Sequence, residues 1–168
     1  MAKSQSFDVT TGVDFAEVQN AVNQSLKEIT QRYDFKGLKV SIDIDQEEKK
    51  LVLAAPDDFK LSAMWDVLQG KLIRRGQAAK NFHPGDARPA GGNTARQEIE
   101  IVQGLSSDLA REVVKYLKDA KLKKVQSAIQ GDTVRISGPS RDDLQEAIAL
   151  LKQHDFGVEL KFENFRSQ

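Results

Sequence analysis

The chain has 168 residues, of which 39% are hydrophobic, enough for one ordinary domain or two small ones with a sizeable core. Lys and Arg number 25 and Asp and Glu also 25, so bulk charge excludes a general polyanion binder and any anion site must be a local patch. Absence of cysteine excludes disulfides, thiolate metal sites and Cys nucleophiles.

"SFDVT" alternates Phe7 and Val9 and predicts a first strand. Val18, Val22, Leu26, Ile29 and Tyr33 then fall at helical spacing, with Asp14 as the expected N-cap. "LKVSIDID" and "KLVLAA" read as an antiparallel pair across "QEEK". Leu61, Met64, Trp65, Leu68 and Leu72 form the stripe of a second helix that Gly76 ends, and "AAKNF" reads as a short strand. Pro and Gly crowd "HPGDARPAGGN", so residues 83–95 are expected to be a connecting loop.

After it the order restarts. "RQEIEIVQ" is a strand, and Leu109, Val113, Leu117 and Ala120 mark a third helix. "KVQSAIQ" and "TVRISG" form a hairpin around Gly131-Asp132, "SRDDLQEAIALLKQH" is a fourth helix and "VELKFENF" a closing strand. The halves are similar in sequence: the displacement that carries Pro56 onto Pro139 also carries Asn81-Phe82 onto Asn164-Phe165. The fold class expected is α+β, with tandem ferredoxin-like (RNP-like) βαββαβ units, each a four-stranded antiparallel sheet with two helices on one face.

Glycines beside the fourth helix raise the possibility of a phosphate cradle. Ser140, Asp142 and Asp143 fill that N-terminus with a cap and two carboxylates, which disfavours an anion there. The glycine-rich nucleotide loops are missing, and Asp43 with Asp45 reads as a solvated face, so no metal is expected. His83 and His154 are isolated, no Ser-His-Asp or paired-acid arrangement stands out, and the expectation is a protein with neither catalysis nor cofactor.

Basic residues are uneven. From Arg111 to Arg135 there are seven (Arg111, Lys115, Lys118, Lys121, Lys123, Lys124 and Arg135) against three acids. Such a run serves either as an ordinary solvated face or as a phosphate-contacting patch. Lys71, Arg74 and Arg75 form a second cluster. If Val134, Ile136, Leu160 and Phe162 face the helices, then Arg135, Lys161 and Phe165 face the open side of a sheet, in the manner of an RNA-reading platform. The competing use of that face is packing against the other unit. No apolar leader begins the chain and no long apolar run follows, so a cytoplasmic protein without a membrane partner is expected.

"SFDVTTGVDFAEVQNAV", "RYDFKG", "IQGDTVRISGPSRDDLQEAI" and "FENFR" closely resemble the YajQ family of bacterial nucleotide-binding proteins, in order and over nearly the whole chain. The resemblance implies that the N-terminal strands are exchanged between units. One unit would then be residues 14–82 with strand 96–103, the other residues 1–13 with 104–168. It further implies binding of a nucleotide (GTP, ATP or cyclic di-GMP) or of RNA such as tRNA, with no established reaction. A transcription regulator is the alternative partner it implies. Phosphates would meet Lys121, Lys123, Lys124 and Arg135, and a base would stack on Phe165. The chain departs from the family pattern in the Pro/Gly-rich 83–95 stretch and at Gly138-Pro139-Ser140, where the family commonly carries lysine.

Overall fold

The computed structural model describes residues 4–167. In chain order the elements are β1 (Gln5–Thr10), α1 (Phe15–Gln31), β2 (Ser41–Asp45), β3 (Lys50–Ala55), α2 (Asp58–Arg74), β4 (Phe82–Pro84), β5 (Arg88–Ala90) and β6 (Thr94–Ile101). They continue with α3 (Ser107–Asp119), β7 (Gln126–Gln130), β8 (Thr133–Gly138), α4 (Arg141–Gln153) and β9 (Lys161–Ser167). Backbone contacts divide the chain into two units, residues 4–12 with 104–167 and residues 13–103. The sequence-based bounds also included residues 1–3 and 168, which lie outside the described residues.

The unit of residues 13–103 has the strand order β2-β3-β6-β4, all antiparallel. Leu51, Leu53, Ile99 and Ile101 point to one face and meet Val18, Val22 and Ile29 of α1 and Leu61, Met64, Leu68 and Leu72 of α2 in a single buried cluster. The caps follow their chemistry. Asp14 accepts from the Ala16 N–H at 2.9 Å and Asp57 from the Lys60 N–H at 2.8 Å.

Residues 83–95 are not a free connection. Gly92 and Asn93 take positive φ and turn β5 back onto β6, where Arg88 to Ala90 pair with Arg96 to Thr94. Pro and Gly set the turns, as their composition implies, but the alternating residues of β6 offer a ladder long enough for both β4 and β5. "AAKNF" likewise divides into a 3-10 turn at Ala79–Asn81 before β4 begins.

The other unit has the order β7-β8-β1-β9, also antiparallel. This is the same arrangement, with β1 in the place that β6 holds in the first sheet. Phe7, Val9, Val134 and Ile136 are buried against Ala110, Val113 and Leu117 of α3 and Leu144, Ala147 and Leu151 of α4. Gly131 supplies the positive φ that a two-residue hairpin of this kind reserves for glycine. At α4, Ser140 Oγ accepts from the Asp143 N–H at 3.2 Å and donates to the Asp143 carboxylate at 2.7 Å, so the helix N-terminus is filled by its own cap.

Candidate nucleotide groove at the end of the third helix

Helix α3 carries Val114, Leu117 and Lys118 on one side, and Lys121 continues that side past the helix exit, spaced as helical i, i+3, i+4 and i+7. The chain then loops through Leu122 and Val125 into β7. The two segments enclose a groove of about 600 Å³ lined by Val114, Leu117, Leu122, Val125, Gln126 and Ser127, with Lys118, Lys121 and Lys123 around it. That volume lies within the roughly 300–1,000 Å³ usual for small-molecule sites.

Electrostatically the groove is cationic. Lys118, Lys121 and Lys123 are exposed, and none of them has a carboxylate within ion-pair distance among the described residues. Part of this charge complements the negative end of the α3 dipole. Lys121 goes further: it ends the helix at φ 57°, a left-handed position that usually belongs to glycine, and its N–H bonds the Lys118 carbonyl at 3.0 Å.

The remaining candidates lie elsewhere. Lys124 sits in the same connection but does not line the groove. Lys115 projects from the exposed side of α3, and Arg111 pairs with Asp108 at 2.7 Å. Arg135 lies on the open face of the sheet, where its Nε donates to the Asp8 carboxylate at 3.1 Å. Asp8 is 8% exposed and also accepts from Asn164 Nδ2 at 2.7 Å. Burial alone would raise its pKa, but the bonds from Asn164 and Arg135 and the charges of Arg135 and Arg166 hold it below the ordinary aspartate value. Arg135 is thus committed to a structural partner through Nε. Lys161 stands exposed on edge strand β9, beside Thr10 of β1.

Phe165 does not join Arg135 and Lys161. The β1–β9 register shifts between Ser6 and Asp8, so Asn164 and Phe165 together stand opposite Phe7. Asn164 adopts φ 59°, and the extra residue turns Phe165 to the helix side, where its ring stacks on Phe7 at 5.6 Å. The open face of this sheet therefore lacks the aromatic platform expected for it. The alternation rule fails here because it assumes an unbroken pleat.

In residues 13–103 a cavity of about 830 Å³ includes the second basic cluster. Two of its cations are neutralised, Lys71 by Glu28 and Arg75 by Glu17, each at 3.1 Å, while Lys27 and Arg74 form no ion pair among the described residues. Among the described residues no group of three or more His, Cys, Asp and Glu is placed to hold a metal ion, and no helix is long and apolar enough to cross a membrane.

The groove's apolar floor was not identified from the sequence. The signal was present in "KLKKVQS", where Leu122 and Val125 interleave with the lysines.

Comparison with known proteins agrees on one group. The family described as "Nucleotide-binding protein YajQ-like" matches residues 5–166. A nucleotide-binding protein of Desulfitobacterium hafniense is 48% identical over 166 residues, covering 99% of this chain and all of the relative. Nucleotide-binding proteins of Magnetococcus marinus and Syntrophotalea carbinolica are each 49% identical, over 96% of this chain and 98% and 99% of their own lengths. With a match that runs the length of both sheets, the chain belongs to the YajQ family.

Proposed function

We propose that this protein binds a nucleotide, without turning it over, in the groove between the end of α3 and β7. Lys118, Lys121 and Lys123 meet the phosphates, and the base lies against Val114, Leu122 and Val125. The observation that carries this reading is the pairing of an apolar floor with three cations that have no protein counter-charge. Charge-assisted contacts to phosphate are among the stronger polar contacts, and apolar side chains commonly line small-molecule sites. Relatives that span the full length carry the name nucleotide-binding protein, which supports the same class of ligand.

Amide chemical shifts during titration of labelled protein with GTP, ATP, cyclic di-GMP and a short single-stranded RNA test the placement and rank the ligands. Shifts from one of them should cluster over residues 114–127. Shifts centred on Arg135, Lys161 and the open sheet face would move the site there and refute the groove. A transcription regulator as ligand remains the alternative, and it predicts no saturable shift from any of the four.

A further inference from the structure

The two sheets have four edges, and three of them carry features that discourage pairing with another chain. β2 presents Asp43 and Asp45, β4 and β5 share one edge as three-residue strands that carry Pro84 and Pro89, and β9 carries Lys161, Glu163, Arg166 and the bulge at Asn164. β7 has none of these. Its five residues, Gln126 to Gln130, include no charge, proline or bulge, and among the described residues it pairs only with β8. Ile129 is 46% exposed on it.

The hydrogen-bonding phase of this edge follows from the hairpin. Gln130 and Thr133 close a two-residue turn, so Ala128 and Gln126 exchange bonds with Arg135 and Ser137. The N–H and C=O groups of Ser127 and Ile129 are therefore the ones that point away from the sheet. An antiparallel neighbour centred on Ala128 meets this pattern with the same sequence: Ser127 stands opposite Ile129, Gln126 opposite Gln130, and Ala128 opposite itself. No like charges face each other along the strand, and the small side chain falls on the two-fold axis. The flanks also complement one another. Lys123 and Lys124 precede the strand and Asp132 follows it, so antiparallel pairing brings the basic end of each copy beside the acidic turn of the other.

We propose that β7 is a dimerisation edge, at which two copies of this chain pair antiparallel about Ala128 and join their four-stranded sheets. Sedimentation equilibrium of the full chain over a wide concentration range should show a reversible monomer–dimer equilibrium. Ala128→Lys sets two ammonium groups against each other across the axis and should weaken the dimer by roughly tenfold. Asp132→Lys should weaken it in the same direction. Hydrogen exchange on the unmodified protein needs no variant: the amides of Ser127 and Ile129 should slow as concentration rises. A monomer at every concentration, a dimer unaffected by either substitution, or exchange at Ser127 and Ile129 that ignores concentration would each overturn the proposal. These readouts report association rather than ligand affinity, although Gln126, Ser127 and Lys123 also line the groove.

Discussion

Lys121 and Asp8 show opposite balances of backbone strain and stabilising contact. Lys121 holds a left-handed backbone that a β-carbon disfavours by about 1 kcal/mol. Lys121→Gly should therefore stabilise the chain by about that amount in denaturant unfolding while reducing nucleotide affinity, because it removes one of the cations of the groove. If stability and affinity rose together, the residue would have no binding role. Asp8 is the opposite case. Its lowered pKa means that the carboxylate contributes stability fully above the ordinary aspartate value, and that this contribution is lost as pH falls through the lowered native value. Arg135→Ala, which leaves that buried carboxylate with the Asn164 hydrogen bond and the charge of Arg166, should cost about 2 kcal/mol near neutral pH. The cost should shrink in unfolding measurements carried to pH below the ordinary aspartate value.

At the scale of elements, hydrophobic period and turn chemistry made most of the fold legible. Helix starts at Asp14 and Ser140, the Gly131-Asp132 hairpin and the stripe of α2 all rest on local rules that the tertiary structure obeys. The bulge at Asn164 was not legible, because one residue in positive φ reverses every side chain beyond it, and nothing in "FENFR" marks where the pleat breaks. Strand β5 and the last two residues of β4 were hidden by composition, though the strand expected at "AAKNF" reaches Phe82, where β4 begins: Pro and Gly are as common in tight turns between short strands as in linkers. β1 carries more weight than its six residues suggest, since Phe7 and Val9 are fully buried at the centre of a sheet whose other strands come from residues 126–167. Phe7→Ala should cost about 3–5 kcal/mol, measured by chemical denaturation, because it removes core volume together with the ring that Phe165 and Phe162 pack on.

For the whole molecule, the duplication read from Pro56 with Pro139 and Asn81-Phe82 with Asn164-Phe165 reappears as two sheets of equal strand order. Equal folds do not carry equal surfaces. Basic residues are partly matched by carboxylates in both units, but Lys118, Lys121 and Lys123 share one groove with no such partner among the described residues, so a chain of zero formal charge still presents a local positive excess. The sequence pointed to the lysines, but it could not say which would share a groove, since that depends on the path from α3 into β7. The most direct test is calorimetric titration of nucleic-acid-free protein with GTP at low and high salt, beside a variant carrying Lys118→Ala, Lys121→Ala and Lys123→Ala together. Saturable binding that weakens with salt and falls by roughly a hundredfold in the variant is the predicted result. Binding of equal strength in both proteins would contradict the assignment of the groove.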